Sequence, residues 1–191
     1  MCRCISFASK CIIIQKINHY SSKTILYLCR FFKQIGGTSS TYYTSLLTFT
    51  LSELVIVSCF SHLLIARLGF GGAQLLVLGA YVVRYAGYAL LPAIWWNVPL
   101  DLLQGITFGL QGVCMAGQMA AIAPPAMQPS AQGLAQGVFY GLGLGTGYLL
   151  GGIGFQMLGP RLLFWCGAAL SVLSLATFGG LHFWDVVHHH H

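Results

Sequence analysis

Charged residues are scarce in this chain of 191 residues. Asp and Glu together number three and Lys and Arg nine, so charged residues make up only 6% of the sequence. A soluble domain carries roughly 25% charged residues. Because 57% of this chain is hydrophobic and its mean hydropathy is +0.76, the composition excludes an ordinary soluble domain and indicates an integral, multi-span membrane protein.

The sequence also lacks the motifs of the common catalytic and metal centres. It contains no Walker A, GxSxG or HExxH motif, and its seven cysteines form no CxxC pair with a metal-ligand spacing. We therefore predict no enzymatic activity, no cofactor, no metal site and no nucleic-acid partner. The terminal run His188–His191 is interpreted as an accident of the C-terminus or the remnant of a tag.

Composition divides the chain into three regions. Residues 1–45 carry six of the nine Lys and Arg residues and no acidic residue. We interpret them as a basic, disordered arm, with contact to a membrane surface or an anionic partner as the alternative. Residues 46–184 are predicted to be a transmembrane helical bundle, and residues 185–191 a His-rich tail.

Five apolar segments of the bundle region are long enough to cross a bilayer. A hydrocarbon core of about 30 Å needs about 20 helical residues, and the segments lack the alternation that is typical of barrel strands. The predicted fold is all-α, a five-span helical bundle in a membrane. Its spans lie near residues 46–66, 75–91, 98–122, 131–154 and 162–183.

Charged residues inside the predicted spans are the first candidates for a functional site. Glu53, Arg84 and Asp101 lie within or at the start of a span. A charge at the centre of a spanning helix costs about 2.5–3.5 kcal/mol and persists where it is paired or faces a cavity. A carboxylate is the usual proton carrier of a coupled transporter, because its proton affinity responds to burial and neighbouring charge. Glu53 is therefore the candidate proton carrier, and we favour function over a purely structural pairing for Glu53 and Arg84.

Polar side chains recur on one face of three neighbouring spans. The three faces carry Tyr81, Arg84, Tyr85 and Tyr88, then Asp101, Gln104, Gln111 and Gln118, then Gln132, Gln136 and Tyr140. The first face is predicted to look at protein or water and not at lipid. For the glutamines two interpretations stay open. They form a shared substrate or ion pathway, or they make interhelical hydrogen bonds of about 0.6 kcal/mol each that hold the bundle together.

Glycines at every fourth position predict close helix packing. Gly133, Gly137, Gly141 and Gly145 form the longest ridge of this kind, and Gly105 and Gly109 form a shorter one. Small residues at this spacing let helix backbones approach each other closely in membranes.

Three signatures resemble those of a known family. They are a Glu before an apolar span that ends in Arg-Leu-Gly, a mid-span Arg followed by a Trp pair, and the run that begins DLLQGITF and continues through APP to AQGLAQGVFYGLG. Over about residues 50–184 the chain resembles the C-terminal half of a major facilitator superfamily transporter. The group it resembles most is the major facilitator superfamily domain-containing protein 6-like group, in the lactose-permease-like branch.

The resemblance implies a twelve-helix fold of two halves that works by alternating access, and this chain would hold its last five helices. It places Glu53, Arg84 and Asp101 at the family's Glu, Arg and acidic positions, and Gln104 and Gln111 with Asp101 on a cavity-lining helix. We therefore expect a truncated solute transporter with a proton-linked polar core. Its expected partners are the lipid bilayer, an unknown small solute, protons, and either a complementary N-terminal half or a second copy.

Two questions stay open at this point. A non-transporting membrane scaffold, a receptor-like interaction protein or an inactive fragment would use the same spans without carrying a solute. The orientation also has two solutions. The resemblance puts the basic arm outside and Arg67 inside, whereas the excess of positive charge in the arm puts the arm inside.

Overall fold

A computed structural model describes residues 39–91, 96–138, 141 and 144–188. Within these ranges the chain is helical apart from short turns, and no strand occurs there. The all-α prediction is therefore confirmed. The predictions for residues 1–38, for Tyr140 and for the histidines at 189–191 fall outside the described residues.

The helices of the described ranges are numbered here in chain order. They are α1 (Ser39–Val55), α2 (Ser61–Ala89), α3 (Asn97–Leu102), α4 (Gln111–Ile122), α5 (Gln128–Gln136), α6 (Leu144–Leu158) and α7 (Pro160–His188). A π-helical turn, Ile56–Phe60, joins α1 to α2, and a second, Gly105–Leu110, leads into α4. A 3-10 turn, Pro125–Met127, precedes α5.

The helix bounds agree with the predicted segments at some ends and differ at others. The segment 98–122 corresponds to α3, the second π-helical turn and α4, while 162–183 lies within α7. In contrast, α1 begins at Ser39, seven residues (46 − 39) before the predicted first span and inside the segment assigned to the arm. The segment 131–154 begins within α5 and ends within α6, and residues 137, 138 and 141 between these helices are π-helical.

Prolines and one glycine end the helices where the sequence places breaks. Ala123 has an extended backbone with ψ 139°, as expected for a residue that precedes a proline. Pro160 is the first residue of α7, where its missing N–H has no helical partner to lose. Gly159 before it has φ 78°, a conformation that glycine adopts without a steric penalty.

Among the described residues, two helical stretches are long and apolar enough to cross a membrane, namely Tyr43–Ala89 and Pro160–Gly180. Only 17% of the residues in the most apolar window of the first are buried within the chain, whereas the core helix of a soluble protein is mostly buried. The predicted count of five spans goes beyond these two stretches and stays a prediction.

Gly69 reverses the chain inside the first of these stretches. Its φ of 67° and ψ of 174° are not helical, and this backbone conformation is open to glycine almost alone. The guanidinium carbon of Arg84 lies 5.3 Å from the ring centroid of Phe49. A straight helix would separate positions 49 and 84 by about 52 Å, at 1.5 Å per residue. The helical arms on either side of Gly69 therefore lie side by side.

The distribution of polarity is inverted relative to a soluble protein. Large apolar side chains of α1 such as Leu47, Leu51 and Leu54 are 64%, 59% and 62% exposed, while Arg84 and Asp101 are 1% and 0% exposed. Long exposed runs of apolar surface mark a contact with membrane or protein. The described helices therefore present many large apolar side chains outward and keep Arg84 and Asp101 inside.

A glycine pair brings the second π-helical turn against α1. A Cβ on Gly105 would overlap the backbone carbonyl oxygen of Ser52, and a Cβ on Gly109 would lie 2.9 Å from Cγ2 of Val57. The close approach predicted for this shorter ridge is therefore confirmed, and it brings α1 against the segment that carries Asp101.

The longer glycine ridge has no close neighbour among the described residues, so its role in helix packing stays a prediction. Among the described residues, no atom lies within 4 Å of a Cβ built on Gly133, Gly137, Gly141 or Gly145. The close packing expected at these four positions is not formed with the described part of the chain.

Candidate functional site

The inner face of α2 carries one arginine among three tyrosines. Tyr81, Arg84, Tyr85 and Tyr88 are between 0% and 3% exposed. Their spacing of three, four and seven residues places them on one side of a helix, and α7 covers part of that side. The ring centroids of Tyr88 and Phe164 lie 5.6 Å apart. The prediction that this face looks at protein and not at lipid is confirmed.

The opposite wall is the polar stripe of α3, the second π-helical turn and α4. Asp101, Gln104, Gln111 and Gln118 are all 5% exposed or less, and so is Thr107, which lies between them. The stripe passes through the π-helical turn Gly105–Leu110, a kind of irregularity that is frequent at functional sites.

Three hydrogen-bond donors converge on the carboxylate of Asp101. The hydroxyl of Tyr88 donates to Oδ1 over 2.9 Å. The hydroxyl of Ser45 and the amide Nδ2 of Asn97 both donate to Oδ2, and Nδ2 also donates to Oγ of Ser45 over 2.6 Å. Because an ionised carboxylate is an acceptor only, this donor set fits the charged form of Asp101.

Tyr88 connects this carboxylate to the buried guanidinium. Nε of Arg84 donates to the hydroxyl oxygen of Tyr88 over 3.2 Å, so that hydroxyl accepts from the cation and donates to the anion. Nη1 of Arg84 donates to Oε1 of Gln104 and, over 3.1 Å, to Oγ1 of Thr107. The result is a chain of hydrogen bonds from Arg84 through Tyr88 to Asp101.

Aromatic rings and opposite charge compensate Arg84 for its burial. The guanidinium carbon lies 5.3 Å from the ring centroid of Phe49 and 5.4 Å from that of Tyr88, which is within the range of cation–π attraction. Removing one partner of such a buried pair costs about 3–5 kcal/mol, because the other charge is left uncompensated. Loss of Arg84 alone or of Asp101 alone would therefore leave one uncompensated charge in the polar core.

A second polar contact lies further along the same stripe. Nε2 of Gln74 donates to Oε1 of Gln111 over 2.6 Å, and both side chains are buried. The hydroxyl of Tyr81 donates over 2.9 Å to the backbone carbonyl oxygen of Thr107. These bonds tie α2 to α4 and extend the polar interior from Asp101 toward Gln118.

Glu53 lies outside this network. It is half-buried on α1, and its Cγ would lie 3.2 Å from a Cβ on Gly109. It forms no hydrogen bond or ion pair with another described residue. Of the five predicted pathway residues, the structure thus brings together Arg84, Asp101 and Gln104, places Gln111 further along the same stripe, and leaves Glu53 at the edge.

Sequence reasoning missed Ser45, Asn97 and Thr107 as members of the site. Ser45 precedes the predicted first span by one residue, and Asn97 precedes the predicted third span by one, so both were outside the segments searched. A signal for α1 was present, because Ser45, Phe49 and Ser52 recur at three- and four-residue spacing and are all buried.

A comparison with known families places this geometry in context. Residues 3–166 match the family model described as MFS_1 like family. The chain belongs to the MFS_1 like family. Families of this major facilitator type are membrane transporters, so the chain is an integral membrane protein. The match of the MFS_1 like family begins at residue 3, so the view that the resemblance starts near residue 50 was wrong.

Among the described residues, no group of three or more His, Cys, Asp or Glu side chains could hold a metal ion. In this member of the MFS_1 like family, the described side chains around Arg84 and Asp101 offer hydrogen bonding and charge compensation. Oδ1 of Asn97 is buried beside Asp101 and has no hydrogen-bond partner among the described residues. A buried acceptor without a partner costs about 1–3 kcal/mol.

Proposed function

We propose that this chain forms part of a proton-linked solute transporter, with its solute pathway along the face shared by Arg84, Asp101, Gln104 and Gln111. The observation that carries the proposal is the hydrogen-bonded connection of Arg84 through Tyr88 to Asp101, inside helices whose outer surface is apolar. Ionisable groups inside membrane segments are expensive, and they mark ion or substrate pathways.

Membership of a transporter family supports this function over the other interpretations. The reversal at Gly69 supports a multi-pass arrangement, because each helical arm beside it reaches the length that a bilayer needs. We also propose the more specific relationship to the major facilitator superfamily domain-containing protein 6-like group, on the three sequence signatures. The solute itself is not named by these features.

Two carboxylates are candidates for the proton carrier, and the contacts favour Asp101. Protonation of Asp101 would remove the negative charge that balances Arg84 and would add a fourth donor to the three that converge on this carboxyl group, so it would disturb several contacts at once. Protonation of Glu53 would disturb no described polar contact. We therefore retain Glu53 as a pathway residue and assign the coupling to Asp101.

Reconstituted uptake tests the proposal. The full chain is placed in proteoliposomes, alone and with a second chain that supplies seven further spans. A panel of radiolabelled sugars, amino acids, nucleosides and carboxylic acids is offered with and without an inward proton gradient. Arg84→Gln is expected to abolish gradient-driven uptake, while Arg161→Gln, a change of an exposed arginine, keeps it. Equal uptake by both variants would contradict the proposal. So would the absence of uptake of every solute in both preparations.

A second candidate function is a non-transporting interaction protein. The open ridge of Gly133, Gly137, Gly141 and Gly145 favours it, because such ridges associate with other helices in membranes. A second copy or a complementary half would cover this ridge. Single-molecule photobleaching in lipid vesicles distinguishes the two roles. Pairing that Gly141→Leu abolishes, without any uptake, would support the interaction protein.

A further inference from the structure

A cavity of about 300 Å³ lies between α4 and α5, beside the polar core. Met115 and Met119 line it from α4, and Gln132, Gly133 and Gln136 line it from α5. This volume is at the lower end of the range for small-molecule sites, which is about 300–1,000 Å³. The cavity is therefore large enough for a compact ligand.

Met115 connects the cavity to the pathway. It is buried and follows Gln111 by four residues and precedes Gln118 by three, so it lies on the same face of α4 as those two glutamines. Its side chain thus belongs both to the polar stripe and to the cavity wall. A ligand in the cavity would lie directly beside the proposed solute pathway.

The chemistry of the lining restricts the class of ligand. None of the lining side chains is charged, and an ionised ligand without a countercharge would lose its hydration at a high cost. The two methionine thioethers adapt to irregular apolar shapes and favour aromatic rings. The ligand that fits this lining is uncharged and has a flat apolar body.

The two glutamines add a requirement for hydrogen bonding. Gln132 and Gln136 lie one helical turn apart on the same wall, and neither makes a hydrogen bond with another part of the chain that the structure describes. Each primary amide offers two donors and one acceptor oxygen. In a membrane environment these groups need partners, and a ligand with an amide or hydroxyl group supplies them.

We propose that this cavity binds a small uncharged amphiphile, with its ring against Met115 and Met119 and its polar group on Gln132 and Gln136. This proposal rests on the proposed function only if the bound ligand is the transported solute, because binding itself requires no transport. Gly133 keeps the site open, because nothing lies within 4 Å of a Cβ at this position. A large side chain at position 133 would project into the cavity.

Binding of a matched set of three probes tests the inference. The full chain is held in lipid nanodiscs and titrated with tritiated 2-naphthamide in a scintillation proximity assay, with empty nanodiscs as the measure of partition into lipid. Unlabelled 2-naphthoate and 2-naphthylmethylammonium, which share the ring but carry a charge, compete in parallel. We expect saturable naphthamide binding that neither charged probe displaces.

Two neighbouring glycines provide the control. Gly133→Leu is expected to abolish binding, while Gly137→Leu, directly after the end of α5 and outside the cavity lining, keeps it. Gln136→Leu, an apolar change that a membrane helix tolerates, is expected to weaken binding roughly tenfold, the effect of a lost hydrogen bond. Thermal unfolding of each variant verifies that it is folded.

Three results would overturn the inference: no saturable binding up to the solubility limit of naphthamide, equal displacement by the charged probes, or unchanged binding by Gly133→Leu. The outcome is separable from that of the proposed function. Saturable binding together with uptake that Arg84→Gln does not change would support the cavity site and reject the pathway. Uptake that Arg84→Gln abolishes, without saturable binding, would reject the cavity site alone.

Discussion

The hydroxyl of Tyr88 donates a 2.9 Å hydrogen bond to Oδ1 of Asp101. The same oxygen accepts a 3.2 Å hydrogen bond from Nε of Arg84, so one neutral group joins the two buried charges. A tyrosine hydroxyl can donate and accept at once, which neither a phenylalanine nor a second charged side chain can do. The carboxylate and the guanidinium are therefore linked through the hydroxyl of Tyr88.

Replacing that hydroxyl gives the first prediction. Tyr88→Phe is expected to lower the free energy of unfolding by about 1–3 kcal/mol, because it removes one donor from Asp101 and one acceptor from Arg84. SDS-titrated unfolding of the purified chain, followed by circular dichroism, measures the change. Tyr43→Phe serves as the control, since Tyr43 is 62% exposed and its change is expected to stay within about 0.5 kcal/mol. Equal effects of the two variants would argue against the bridging role.

Close packing at Gly105 gives the second prediction. A Cβ there would overlap the backbone carbonyl oxygen of Ser52 and lie 2.7 Å from Cγ1 of Ile56. Because a backbone atom cannot rotate away, Gly105→Ala should displace α1 and destabilise the fold by about 1–3 kcal/mol.

The matched control for this glycine is Gly112→Ala on α4, where nothing lies within 4 Å of the added Cβ. This change is expected to be neutral, or stabilising by up to about 1 kcal/mol through helix propensity. Thermal unfolding in detergent compares the two variants. A Gly105→Ala protein as stable as Gly112→Ala would show that α1 does not approach the π-helical turn this closely.

The chain reversal at Gly69 gives the third prediction. Its φ of 67° with ψ of 174° lies in a region where other residues pay about 1–3 kcal/mol. Gly69→Ala is therefore expected to lower the unfolding midpoint, although open space surrounds the position. Gly79→Ala, inside α2 and also without a neighbour within 4 Å, is the control and should not lower it. Unfolding midpoints of the two variants, measured side by side, separate the effect of backbone strain at position 69 from the general effect of replacing a glycine by alanine.

The sequence predicted which helix faces are buried better than it predicted the residues at which the helices begin and end. Tyr81, Arg84, Tyr85 and Tyr88 are buried as their spacing predicts, because helical periodicity is a local property of the chain. Ser45 and Asn97 became part of the site only through their contacts with Asp101, which are 56 and four residues away in the chain. The first contact depends on the reversal at Gly69 and on the fit of Gly105 against Ser52, and neither follows from periodicity.

Glu53 shows that a residue's charge and its position in a span do not predict which side chains surround it. Its charge and its depth in the predicted span made it the first candidate for proton coupling, yet both properties belong to its position in the chain and not to its surroundings. The structure places it against Gly109, one residue beyond the inward face that Ser45, Phe49 and Ser52 form. A shift of one residue on a helix turns a side chain by about 100°, which is enough to separate it from the polar core.

The fourth prediction concerns the coupling between Arg84 and Asp101. Arg84→Gln and Asp101→Asn should each destabilise the chain by about 3–5 kcal/mol, since each leaves one buried charge uncompensated. The double variant carries no net charge in the core, so it should be more stable than the sum of the two single changes implies, by about 0.5–3 kcal/mol. A parallel cycle of Arg84→Gln with Glu53→Gln should be additive within about 0.5 kcal/mol. SDS-titrated unfolding of all variants supplies the free energies. Additive effects of Arg84→Gln and Asp101→Asn, together with non-additive effects of Arg84→Gln and Glu53→Gln, would show that Glu53 and not Asp101 balances the charge of Arg84.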